Sequence, residues 1–269
     1  MPRKKKLNIS LIKAVVMSAL SLAMAFGFAL AGIGAQVAAA PTVQFLLGFT
    51  PDRTKGTSIA FALFAAVGGV IGYIAAGSSI DFGIAVMLGI GATLGTILTI
   101  KLAAEPRYAV LRRAGQSIGI VVAIYVFGEA MRHRIGGPQP FLPSLTQISP
   151  LLTGLLFGVA TGAISNLLQI ATGILVVPAL IYLLGMDASR AVVTSLAVIA
   201  FAGFFPALNY SSRGAVDKTM GSWMSGAGLL GGLGAGTILS RLSVTSSLPL
   251  IAFALISMFL CAWRIWKMT

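Results

Sequence analysis

Apolar runs of spanning length, separated by short polar or glycine-rich stretches, set the pattern of this chain. A membrane-spanning helix needs about 20 such residues. In lipid every backbone polar group must be paired internally, which leaves helices or closed barrels. The runs do not alternate with period two, so helices are expected. The pattern predicts helices at about 12–31, 57–76, 82–100 and 117–130, then at 150–165, 169–184, 191–209, 218–239 and 247–266. A shorter apolar segment, 37–47, carries Pro41 and is too short to span alone.

Gly32-Ile33-Gly34-Ala35-Gln36 breaks the first run. Each Gly costs a helix interior about 1 kcal/mol relative to Ala, so an interruption inside the membrane is expected there. A related stretch, Gln169-Ile170-Ala171-Thr172-Gly173, precedes the apolar run that carries Pro178. Pro41 and Pro178 differ by 178 − 41 = 137. The same shift aligns Gly48 with Gly185, Arg53 with Arg190, Thr57 with Thr194 and Ser58 with Ser195. It also aligns Tyr73 with Tyr210 and Gly77 with Gly214. Seven identities at one offset imply a duplicated unit. The chain then divides into a basic tail (1–11), a first transmembrane repeat (12–130), a polar linker (131–149) and a second repeat (150–269).

Composition narrows the class. The chain is 57% hydrophobic and 9% charged, where a soluble domain carries about 25% charged residues. The net charge of +13 lies mostly between apolar runs. It therefore reads as topology and lipid-headgroup contact, with no nucleic-acid partner. The basic start, MPRKKK, belongs in the cytoplasm by the positive-inside rule. The apolar stretch after it runs on too far for a cleaved signal and reads as a retained helix. Cys261 is the single cysteine, and His133, in the linker, is the single histidine. With no HExxH, no GxxxxGK[ST] and no Asp or Glu in the middle of a predicted helix, no catalytic residue, metal ligand or cofactor is assigned.

Counting crossings from the cytoplasm returns the loop around Arg53 to the inside and ends the first repeat outside. The second repeat then enters from the opposite face. Arg132, Arg134, Arg190 and Arg241 fall outside in this count, against the usual bias. The expected fold is an all-α polytopic membrane protein. It has two inverted-topology repeats of about 4–5 helical segments each, with broken or re-entrant helices near the midplane. In secondary transporters of that design the substrate binds where the broken helices meet.

Broken helices supply free N–H groups and a positive dipole end for an anion. The candidate substrate-binding residues are Gly32, Gly34, Ala35 and Gln36 in the first break and Gln169, Thr172 and Gly173 in the second, with Asn166 one turn before Gln169. Thr57, Ser58, Thr194 and Ser195, at predicted helix starts, join the set, with N-capping or helix packing as their other reading. Arg53 and Arg190 are candidates for an anion-attracting vestibule, or plain turn charges. Tyr73, Tyr210 and Asn209 read as interfacial or structural. The glycines at 89, 91 and 95, and at 226, 228, 231, 232, 234 and 236, read as close helix packing.

These residues resemble the sulfite exporter TauE/SafE family, also called the toluene sulfonate uptake permease family. Its repeat carries a motif like G-[IL]-G-G-G-x-x-x-V-P, a glycine-containing turn and Ala-x-x-Thr-Ser. Here these positions are Gly32 to Gln36, Pro41, Gly48 and Gly56 through Thr57-Ser58, then Gln169 to Gly173, Val177-Pro178, Gly185 and Ala191 through Thr194-Ser195. The departure is a Gln for a motif Gly once in each copy, at Gln36 and Gln169. The resemblance implies a multi-pass plasma-membrane (inner-membrane) permease for a small anion, sulfite or an organosulfonate, coupled to the proton gradient. The expected partners are that anion, membrane lipids and a coupling proton. The residues leave open a secondary transporter working by alternating access or an anion or small-solute channel, import or export, and the oligomeric state.

Overall fold

The computed structural model describes residues 2–104, 117, 119–125, 149–168, 170–241, 251, 255–256, 258–259 and 262. Among these residues there are helices and connecting turns and no strand. We label the helices α1 (Pro2–Ala31), α2 (Gln36–Leu47), α3 (Pro51–Ala75), α4 (Phe82–Ala104), α5 (Pro150–Leu168), α6 (Thr172–Tyr182), α7 (Ala188–Ser212) and α8 (Lys218–Arg241). Residues 119–125 are also helical. Most of the linker, residues 118 and 126–130 of the helix expected at 117–130, and most of the helix expected at 247–266 lie outside the described residues.

Among the described residues, five stretches are long and apolar enough to cross a bilayer: Leu11–Ala31, Pro51–Ala75, Phe82–Thr99, Leu151–Leu168 and Ala188–Ser212. The helix expected from residue 12 begins at Pro2 and ends, as expected, at Ala31. The expected 169–184 helix is trimmed to α6, and 57–76 lengthens to α3. The latter gain has a local cause. Pro51 occupies the first turn, where its missing N–H is no loss, and Asp52 complements the helix dipole.

The 137-residue offset recurs in the element bounds. Ala31 and Leu168 end the first helices (168 − 31 = 137), Pro51 and Ala188 open the third (188 − 51 = 137), and Ala75 and Ser212 close them (212 − 75 = 137). It recurs in the caps as well. Gly77 and Gly214 both have positive φ, and each ends its helix with the same pair of bonds. Gly77 N reaches Ile74 O and Ser78 N reaches Tyr73 O, while Gly214 N reaches Ser211 O and Ala215 N reaches Tyr210 O. The spacing seen in the sequence thus recurs in backbone form.

The copies interlock. Helix α4 packs on α5 and α8 on α1, and α8 also lies along α3. Glycine permits these approaches. A Cβ at Gly95 would strike the Val159 carbonyl, and one at Gly162 the Ala92 carbonyl. Such small-residue contacts let backbones touch where lipid offers no hydrophobic drive between helices. The glycines expected to serve packing do so at 89, 91, 95, 228, 231, 232 and 236, whereas Gly226 faces open space.

At the centre, α3 and α7 cross in opposite directions. Gly56 lies beside Tyr210 and Gly69 beside Leu196, so residue numbers rise along one helix as they fall along the other. Apolar side chains such as Leu98, Leu156, Phe205 and Leu230 stay exposed on the outer faces. That is a liability in water and the normal condition in lipid.

Candidate functional site

Both interruptions form where the sequence predicts them, and the chain ends the first helix of each copy in the same way. Gly32 takes φ +66°, a conformation that costs glycine nothing sterically. It places Gly32 N 3.3 Å from Ala29 O and Ile33 N 3.1 Å from Phe28 O, closing α1 with a Schellman motif. In the second copy Ile170 N bonds Ser165 O at 3.0 Å, the counterpart of the Ile33–Phe28 bond at the same offset.

Two short helices start from these breaks. α2 has 12 residues and α6 has 11. At 1.5 Å per residue each is about 17 Å long, roughly half a hydrocarbon core of about 30 Å. The N-cap residues are Ala35 and Ala171, and neither helix has a side-chain cap. The first N–H groups of a helix have no partner within it. Both starts are surrounded by buried residues: Ile33, Ala35, Val37, Ile170, Ala171 and Ile174. Positive dipole ends without a capping side chain therefore lie inside the protein.

The two breaks touch. A Cβ added at Gly173 would lie 2.5 Å from the Gly32 carbonyl oxygen and 2.8 Å from Ile33 Cα. One added at Gly32 would meet Val177 Cγ2 at 3.0 Å and Val192 Cα at 3.1 Å. Ser195 Oγ donates to Gly32 O at 2.8 Å, which fixes the first break to the second copy. Beside this junction is a void of about 10 Å³, lined by α1, the first break, α3 and Leu196 of α7. It has room for about one water.

The remaining candidates divide by what their polar groups reach. Thr172 Oγ1 lies 3.3 Å from Ser165 Oγ and so bridges the second break. Gln36, half-buried, opens α2, and its amide has no partner among the described residues. Gln169 lies outside the described residues. Ser58 is buried and its hydroxyl has no partner among the described residues, unlike the equivalent Ser195. Asn166 turns to α4, its Nδ2 donating to Thr99 Oγ1 at 3.0 Å and Thr96 O at 3.3 Å. Thr57 and Thr194 are buried in helices and accept bonds from Asp217 N and Asp81 N. Arg53 and Arg190 pair with Asp217 and Asp81. The Arg53 pair borders a cavity of about 360 Å³ that Ser211, Gly214, Val216, Lys218 and Thr219 also line.

Sequence reasoning passed over Asp81 and Asp217. A signal was present, since each stands just before an apolar run and follows a glycine turn, the place of an N-cap. Asp81 Oδ1 accepts from Ile84 N at 3.1 Å and Asp217 Oδ1 from Met220 N at 2.7 Å.

Comparison with known proteins agrees with this architecture. Residues 19–263 match the family model described as "Sulfite exporter TauE/SafE". A "Probable membrane transporter protein" of Xylella fastidiosa (strain Temecula1) is 28% identical over 251 residues, covering 90% of this chain and 91% of that protein. A protein of the same description from Xylella fastidiosa (strain 9a5c) is 27% identical over the same length and shares of each chain. No solved structure matches the chain.

Proposed function

The chain belongs to the sulfite exporter TauE/SafE family, and on that premise we propose that it carries a small sulfur-containing oxyanion, sulfite or an organosulfonate, by alternating access. The family is one of membrane transporters and not of enzymes. Its spans make this chain a multi-pass membrane protein. We assign it to the inner membrane with its N-terminus in the cytoplasm, and read the opposed α3 and α7 as the cores of inverted repeats.

The observation that carries the reading is the contact of Gly173 with the Gly32 carbonyl, which joins two interrupted helices. Inverted-repeat transporters bind substrate at such a meeting point. Helix starts without capping side chains suit an oxyanion, because donors and dipole favour negative charge without a buried cation. Gly32, Gly34, Ala35, Gln36, Ser58, Thr172 and Gly173 are the residues we assign to solute binding, with Gln169 added from the sequence alignment of the copies. Asn166, Thr57, Thr194, Ser195, Arg53 and Arg190 support the site from engaged positions.

The packed junction also favours a carrier over an open channel. A space for about one water cannot hold a sulfonate, so the copies must part to admit the solute. Flux into proteoliposomes with labelled sulfite, sulfoacetate and taurine tests the reading. Saturable uptake with counterflow of one of them is expected. Absence of saturable uptake of all three rejects the substrate class, and non-saturating flux without counterflow makes the protein a channel. Dependence of the flux on an imposed proton gradient decides the coupling.

A further inference from the structure

Asp81 and Asp217 hold equivalent posts in the two copies. Each caps the helix that follows it with one carboxylate oxygen. The other oxygen turns to the third helix of the opposite copy. Arg53 Nη2 donates to Asp217 Oδ2 at 2.6 Å, and Arg190 Nη2 to Asp81 Oδ2 at 3.2 Å. The backbone repeats the exchange, with Asp217 N donating to Thr57 Oγ1 at 3.1 Å and Asp81 N to Thr194 Oγ1 at 3.5 Å. The arginines and the threonines are each 137 apart. The aspartates are 217 − 81 = 136 apart, because the turn from Gly214 to Asp217 is one residue shorter than that from Gly77 to Asp81.

The opposed course of α3 and α7 puts these clusters at opposite ends. Gly56 pairs with Tyr210 and Gly69 with Leu196, so Arg190 lies about level with residue 75 of α3. That is about 22 residues from Arg53, or about 33 Å along the helix. The hydrocarbon core is about 30 Å thick. One cluster therefore lies near each face, and each bridges the two copies.

We infer that Asp81 and Asp217 are gate residues, the Asp217–Arg53 pair closing one face and the Asp81–Arg190 pair the other, and that the Asp81 gate opens first. This rests on the alternating-access reading above. A rocking of one copy against the other that parts one pair leaves the other made, which is the requirement for access from one side at a time. Partly exposed ion pairs are weak, as a lock that must open in every cycle should be.

The order of opening follows from unequal geometry. All three bonds of the Asp81 cluster are longer than their counterparts: 3.2 against 2.6 Å, 3.5 against 3.1 Å and 3.1 against 2.7 Å. The buried Nε of Arg190 also has no partner among the described residues. Arg53, by contrast, is held further by the ring of Phe49, 5.0 Å from its guanidinium carbon.

The test is labelling of a single cysteine, Ala62→Cys, in a Cys261→Ser background, by a membrane-impermeant maleimide. Ala62 is buried and lines the central void. Right-side-out and inside-out vesicles present the two faces. Asn keeps the capping oxygen and removes the charge, so Asp81→Asn and Asp217→Asn report on the ion pairs. Asp81→Asn should speed labelling from the Arg190 face about fivefold, the change that follows from losing a pair worth about 1 kcal/mol. Arg190→Gln, which leaves the cap untouched, should do the same. Asp217→Asn should act from the Arg53 face, and at least as strongly, because the pair it breaks is the shorter one. Unchanged labelling in these variants, or acceleration by both aspartate variants from the same face, overturns the assignment. The labelling needs no solute. Gated labelling without sulfur-anion flux would therefore reject only the proposed function, and saturable flux with ungated labelling would reject only the gates.

Discussion

The two breaks share a frame and fill it with opposite residues. Gly32 corresponds to Gln169, Gly34 to Ala171, Ala35 to Thr172 and Gln36 to Gly173. The contact between copies pairs Gly173 with Gly32, bare backbone against bare backbone. Under the 137-residue shift the positions corresponding to that pair are 36 and 169, and both are Gln. The short helices differ as well. α6 buries Gly173, Ile174, Val176, Val177, Leu180 and Ile181, while α2 buries Val37, Ala39 and Val43 and leaves Phe45 88% exposed. One break thus supplies the bare backbone of the contact, while the Gln36 amide at the equivalent place has no partner among the described residues. Glycine allows that contact, since a Cβ at Gly173 would stand only 2.5 Å from the Gly32 carbonyl oxygen.

The largest effect that would break this comparison is expected at Gly173. Gly173→Ala forces a methyl onto the Gly32 backbone, which cannot yield as a flexible side chain would. Overpacking of this kind costs about 1–3 kcal/mol, so a lower melting temperature in detergent and little or no flux are expected. Gln36→Ala, at the equivalent place, should melt like the parent. Equal melting of the two variants would remove the distinction between a packing copy and a binding copy.

Next in size are the amides. Gln36→Leu and Gln169→Leu should lower flux about tenfold each while the protein stays folded, since a hydrogen bond to a charged group is worth about 1.5–3 kcal/mol. Unaltered kinetics in both would remove them from the site.

The smallest effect sharpens the contrast between Ser195 and Ser58. Ser195→Ala removes the bond to Gly32 O and should destabilise by about 1 kcal/mol. Ser58→Ala removes a buried hydroxyl that has no partner among the described residues. It should leave melting unchanged or raised, and it should raise the KM for solute. If the two variants shift melting alike, the asymmetry drawn from these hydroxyls is lost.

Several of these features were legible before any coordinates. The breaks stood out because two or three poor helix formers interrupt an apolar run, and the copies because local signals such as Gly48 and Gly185 recur at one spacing. The roles of Arg53 and Arg190 were not legible. Their partners lie 164 and 109 residues away, beyond any local pattern. Asn166 stands three residues before Gln169 in the sequence, but only the packing of α4 against α5 shows its amide turned to Thr96 and Thr99.

By itself the sequence determined the solvent, the helices and their interruptions, because backbone propensity and transfer to lipid act residue by residue along the chain. Tertiary structure alone decided that the interruptions touch, which equivalent serine is engaged and which charges join the copies. Those outcomes depend on approaches of a few ångströms between residues far apart in the chain, and no nearest-neighbour preference encodes them.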